Sequence, residues 1–220
     1  MTFARILLTV LGALLAQPGL AGPWPRDEGT QFLSLSIEAD RDAVSDQGQG
    51  VFGGLYYERG LRNALTFGLD LGSETTEDPK AIAFLRWPVG RRDGRSRLAV
   101  EVGAGLYDGK GAVRPGLSWG RGIMRGQIPG WLSVDSRLVL QSGLDGLLET
   151  DVTFGLKPTD HTMVILQLQT GQPGTGDFYA KIAPSWVYQY RPGRRVELGL
   201  VAGVTGNTEL RLKLGLWREF

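Results

Sequence analysis

The chain has no cysteine and a single histidine. The first absence excludes a disulfide framework, thiolate metal ligation and a lipid anchor carried on cysteine. The second leaves His161 as the only imidazole for acid–base chemistry. Neither sign of charge dominates. The 24 Lys and Arg stand against 23 Asp and Glu, a net charge of +1, so there is no electrostatic footprint for nucleic acid. Beyond residue 21 no apolar run is long enough to cross a bilayer as a helix.

Residues 1–21 read as a secretory signal peptide, cleaved before Gly22. Arg5 supplies its positive start, residues 6–16 its apolar stretch, and Gly19-Leu-Ala21 the approach to the cut. Residues 22–220 then form one domain. The 33 glycines, with charge dispersed between them, favour short strands and tight turns over helices.

Alternation of period two runs through almost the whole of it. Leu65, Phe67, Leu69 and Leu71 oppose Thr66, Gly68, Asp70 and Gly72. Leu98, Val100, Val102, Ala104 and Leu106 oppose Glu101, Gly103 and Gly105. Leu132, Val134, Leu138 and Leu140 oppose Ser133, Asp135 and Arg137. Around Val51, Leu55 and Tyr57 the phase is open, and the boundary between Trp119 and Trp131 is vague. Turn formers such as Asp108-Gly109 and Arg191-Pro-Gly193 separate the segments. The pattern predicts about twelve strands of roughly ten residues, the length a tilted strand needs to cross a membrane. An even number puts both termini on one side.

The last segment closes the series. Leu210, Leu212, Leu214 and Leu216 alternate with Arg211, Lys213, Gly215 and Trp217, and the chain stops at Phe220. This ending resembles the C-terminal strand of Gram-negative outer-membrane β-barrel proteins. The resemblance implies an all-β, up-and-down antiparallel transmembrane barrel in the cell outer membrane. It also implies partnership with the lipid bilayer and lipopolysaccharide, and with the barrel-assembly machinery through the terminal strand. In size the chain is similar to narrow monomeric porins of about twelve strands, such as the oligogalacturonate-specific family. That family passes acidic sugar oligomers between arginine ladders. No continuous arginine track is present here, so the substrate does not carry over.

The barrel reading sorts the side chains. Trp87, Trp119, Trp131, Trp186 and Trp217 fall at one level, near the inner ends of the strands, and with Phe220 form an expected membrane-interface girdle. Trp217 has the opposite parity. Tyr107 and Phe178 or Tyr179 serve the other rim. Arginines gather in the inner turns (Arg91, Arg92, Arg95, Arg97, Arg121, Arg125, Arg191, Arg194, Arg195). Acids gather in the outer loops (Asp40, Asp42, Asp46, Glu74, Glu77, Asp78, Asp145, Asp177).

Charges cannot face lipid cheaply, so those at alternate positions point inward. The expected pore-lining set is Glu38, Asp70, Arg86, Glu101, Arg114, Asp135, Arg137, Glu149, Asp151, Lys181, Glu197, Arg211 and Lys213, with Lys80 beside them and Glu58 if its strand is so phased. Two interiors fit: an aqueous channel between charged ladders, or a lumen knitted shut by salt bridges. Roughly twelve strands leave more room than side chains fill. The expectation is therefore a narrow channel for passive diffusion of small polar or charged solutes. The alternatives are a non-conducting structural or export-accessory barrel and an outer-membrane lipid-modifying enzyme. The enzyme rests on His161 beside Asp160, on the wrong side of the membrane for that chemistry and with no serine at the spacing those enzymes use. No catalytic residue, cofactor or metal site is expected. The glycine-rich stretches Gly103-Ala-Gly105 and 171–176 precede no helix and offer no phosphate cradle.

Overall fold

In the computed structural model, residues 22–40, 50–74, 79–90, 94–143, 145–205 and 209–220 are described. The predicted signal peptide lies outside them, as do Asp42, Asp46, Glu77, Asp78, Arg91 and Arg92.

Twelve strands follow one another: β1 (Gln31–Asp40), β2 (Val51–Gly60), β3 (Thr66–Glu74), β4 (Lys80–Val89), β5 (Ser96–Tyr107), β6 (Lys110–Arg125), β7 (Ile128–Gln141), β8 (Leu147–Thr159), β9 (Thr162–Pro173), β10 (Tyr179–Arg191), β11 (Arg194–Thr205) and β12 (Leu210–Glu219). Each pairs antiparallel with its neighbours in sequence, and β12 closes on β1. Closure removes both sheet edges, which is the condition for strands to stand in hydrocarbon. The expected up-and-down barrel of about twelve strands is the observed fold. The vague stretch between Trp119 and Trp131 is the end of β6 and the start of β7, joined by a turn at Gly126-Gln127.

Both ends of the chain meet at one rim. The Gln31 amide donates to the Phe220 carbonyl at 2.7 Å, and the Phe220 amide returns a bond at 3.1 Å. Three hairpins at this termini rim are two-residue turns: 126–127, 160–161 and 192–193. Pro192-Gly193 closes β10 onto β11 with Gly193 at φ 69°, a left-handed value that glycine adopts without steric cost. The opposite, loop rim carries connections such as 174–178, together with the two-residue Asp108-Gly109 turn. There both central residues have positive φ (48° and 68°), the twist a short hairpin needs.

The two faces differ as the alternation requires. Outward positions are apolar: Ile37, Val102, Leu117, Val164, Leu200 and Leu214 are all exposed. Val51, Leu55 and Tyr57 share that face, since Glu58 on the same strand is buried inside.

The inward face has a feature that alternation alone does not disclose. Bulky rings lie flat on glycines of the next strand. Gly68 is paired with Phe84, Gly155 with Trp131 and Gly171 with Tyr179. A Cβ on any of these glycines would overlap the facing ring. Glycine thus makes the wall concave where a ring needs bulk, and the ring covers backbone that glycine leaves bare.

Candidate functional site: the lumen and its closed end

The interior is a polar space divided in two. An outer cavity of about 380 Å³ opens at the loop rim, and a middle cavity of about 290 Å³ lies below it. They share Ser34, Ser36, Tyr56, Asp70, Lys80, Arg137, Asp151 and Gln169 as walls, so one continues into the other. On the β4–β8 side, Ile82, Ala112 and Val139 form a small apolar cluster against which Tyr107 and Leu147 pack. Both cavities are still walled in part by β4 and β7, through Lys80 and Arg137.

Each residue of the expected lining set lies on the inward face of its strand, but the set divides into different environments. Arg86, Glu101 and Arg114 belong to an unbroken ion web on β2–β6. Arg26 binds Glu58 at 2.7 Å, Glu58 binds Arg86 at 2.7 Å, and Arg86 binds Glu101 at 2.7 Å. Glu101 reaches Arg114 at 3.1 Å, and Arg114 pairs with Asp70, which holds Lys80 at 3.0 Å. Tyr56 donates to Glu58 at 2.7 Å and accepts from Arg86 at 3.2 Å. Arg114 is 1 % exposed and Glu58 1 %. Charges so buried persist only because each has opposite charge and hydrogen bonds around it.

The remaining charges are more loosely tied. Arg137 pairs with Asp151 at 2.6 Å, and Lys213 with Glu197 at 3.2 Å. Arg211 sits at the mouth between Glu74 and Glu209 (2.6 and 2.9 Å). Lys181 stands over the Tyr179 ring at 5.9 Å. Glu149 takes the Tyr107 hydroxyl at 3.0 Å. Among the described residues, neither Glu149 nor Glu38 has a cation at ion-pair distance. Asp135, on the wall of the middle cavity, keeps one buried carboxylate oxygen without a hydrogen-bond partner.

The interface set departs from expectation at two positions. Trp87, Trp119 and Trp186 point outward near the termini rim, and Trp186 stacks on Tyr188 at 5.6 Å. Phe220, at the same rim, is exposed. Trp131 and Trp217 point into the barrel instead, at 1 % and 7 % exposure. Their parity explains it. Trp131 shares a face with Ser133 and Asp135, and Trp217 with Arg211 and Lys213. With Phe32, Met163, Ile165 and Val187 they form an apolar floor below the middle cavity. The Trp217 indole N–H donates to Glu197 at 3.1 Å. Tyr107 and Tyr179 likewise face the outer cavity rather than the outer surface, so of the residues expected at the loop-rim girdle only Phe178 is exposed.

Sequence reasoning missed the segment before β1. Pro23 is fully buried, Trp24 packs on the apolar floor, and Arg26 enters the ion web. A signal was present in the composition: Trp24 stands between two prolines, outside any alternating strand. His161 is exposed in the turn between β8 and β9, at the termini rim.

No protein-family model matches the chain, and no curated protein matches its sequence. Solved structures do share its fold. A NanC porin superposes with a TM-score of 0.66 over 84 % of this chain and 98 % of its own, at 8 % identity. A KdgM porin gives 0.62 over 86 % and 99 %, also at 8 % identity. An outer membrane channel from Pseudomonas putida F1 gives 0.53 over 91 % and 99 %, at 11 % identity. At such identities the likeness establishes the twelve-stranded barrel, and residue roles rest on the geometry above.

Proposed function

We propose that the chain, cleaved before Gly22, is an outer-membrane channel for passive diffusion of small polar or charged solutes. One observation carries the reading. A continuous polar cavity descends from the loop rim past mid-barrel, inside a wall whose outward face is apolar. An apolar outer band suits lipid, and an interior of charge, serine and glutamine suits water. The structures sharing the fold include two described as porins and one as an outer membrane channel, which supports the same reading. The termini rim is then the periplasmic one, the terminal strand meets the assembly machinery, and Trp87, Trp119, Trp186 and Phe220 sit in the headgroup zone. Lipopolysaccharide would surround the loop rim.

The lining residues of this channel are the inward charges, with Glu38, Glu149, Lys181 and Arg211 facing the solute path and the web of Arg86, Glu101 and Arg114 forming one wall. A second reading, a non-conducting structural or export-accessory barrel, draws on the apolar floor that closes the inner end. The lipid-modifying alternative finds no support at His161, whose exposed ring hydrogen-bonds no serine or carboxylate among the described residues. The test is a planar-bilayer recording of the folded barrel, with folding checked by heat-modifiable migration. Discrete current steps that change on Glu149→Gln support the channel. A folded barrel that stays silent even when its inner end is unblocked contradicts it.

A further inference from the structure

Residues 22–26 precede the first strand yet lie inside the barrel. The chain passes over the termini rim at Gly60, where a Cβ would collide with the carbonyl oxygens of Arg26 and Asp27. From there it crosses the bore. The Arg26 amide donates to Thr66 Oγ1 at 3.3 Å, and its guanidinium to Glu58 at 2.7 Å. At the far end the Gly22 carbonyl accepts from Arg86 at 3.2 Å. Pro23 and Trp24 fill the room left by Gly120 on β6, where a Cβ would lie 2.7 Å from Pro23 Cγ, and Gly22 rests near Ser133 on β7. The strap thus runs from the β2–β3 wall to the β6–β7 wall. The apolar floor, from β12 and β1 round to β7, fills the rest of the cross-section and packs on Trp24.

The strap is held differently from everything around it. Each strand is laddered to two neighbours, whereas among the described residues the strap is tied to the wall by these bonds and by the Arg26 guanidinium over the Phe32 ring at 4.6 Å. Those ties are redundant for the wall. Without Arg26, Glu58 keeps Arg86 and Tyr56. Without Gly22, Arg86 keeps Glu58 and Glu101. Withdrawal therefore strands no buried charge, which is the step that makes breaking an ion pair costly. Where the strap meets β1, Gly29 is exposed at φ 85° with nothing within 4 Å of a Cβ position. Its amide donates to the Gly60 carbonyl at 3.0 Å, so the strap leaves the wall at a glycine that can turn once that one bond opens.

We propose that residues 22–26 are a removable plug that gates the inner end of the lumen. The proposal rests on the channel reading and adds the state in which the channel is shut. The chain has no cysteine of its own, so a lock can be installed cleanly. Three folded barrels are compared in planar bilayers: residues 22–220, the same chain lacking 22–29, and the Pro23→Cys/Gly120→Cys variant oxidised and then reduced, with the crosslink verified by mass. The intact barrel should open rarely and briefly, the truncated one should carry sustained current, and the oxidised variant should stay shut until reductant is added. Equal currents with and without the strap, or sustained current through a verified crosslink, would overturn the plug and leave the channel standing. Silence of all three folded barrels would overturn the channel reading and the plug with it.

Discussion

The outer and inner halves of this lumen are built on the same rule and reach opposite results. Both present alternate residues of twelve strands inward, and both carry charge. In the outer half the inward positions hold serine, glutamine and carboxylates such as Glu38 and Glu149, with a cavity between them. Toward the termini rim they hold Phe32, Trp131, Val187 and Trp217, and the ion web takes up the opposite wall. Strand number sets the diameter of a barrel, but side-chain size and pairing decide whether the diameter is open. A fold shared with porins therefore does not by itself specify an open pore.

The sharpest way to break the contrast is at the web. Arg86→Ala would leave Glu58 and Glu101 buried with one cation fewer each, and should cost about 3–5 kcal/mol. The check is denaturant unfolding in detergent. The corresponding change at the mouth, Glu209→Ala, removes one of two partners of Arg211 at an exposed site and should cost at most about 1 kcal/mol. Similar losses at the two sites would erase the distinction between a structural inner end and a solvated outer one.

The floor offers the next largest effect. Trp217→Ala should lose about 3–5 kcal/mol through the cavity it creates, and should lengthen channel openings, since the floor and the plug share the cross-section. A stability loss with no change in current would assign the floor to packing alone. Gly155→Val forces the Trp131 ring off the wall and should cost about 1–3 kcal/mol as overpacking, read as a lowered temperature of heat-modified migration. The same substitution at Gly122, where nothing lies within 4 Å of a Cβ position, should be tolerated.

The smallest effect expected is on selectivity. Glu38→Gln with Glu149→Gln removes two carboxylates that have no cation at ion-pair distance among the described residues, and should move the reversal potential in a salt gradient toward anions by a modest amount. An unchanged potential would place the selective step elsewhere, at the inner end.

Most of the fold was legible because period two is a strong signal when it recurs. Strand number and the inward parity of Asp70, Arg114 and Lys213 follow from counting, and closure follows from the likeness of the terminal segment to outer-membrane barrel strands. The inner end was less legible for a specific reason. Five tryptophans at one level point to a girdle, but level alone does not say which face a side chain takes. Trp131 shares a face with Asp135, and Trp217 with Arg211 and Lys213, in the sequence itself, and that parity turns both inward. The flat packing of Phe84, Trp131 and Tyr179 on glycines depends on cross-strand register, which alternation within one strand does not contain. The strap was illegible for another reason. It has no period, and its bonds to Glu58, Thr66 and Arg86 reach across three strands.

The asymmetry of the lumen is the central claim, and two inward serines report on it directly. Ser36 lines both cavities, while Ser133 is 1 % exposed beneath the strap. In a chain without cysteine, Ser36→Cys and Ser133→Cys each give a unique thiol in the folded barrel. A small water-soluble thiol reagent should label Ser36→Cys readily and Ser133→Cys about tenfold more slowly or less, because the second must await local opening. Equal labelling rates at the two positions would contradict a lumen open at the loop rim and closed at the other.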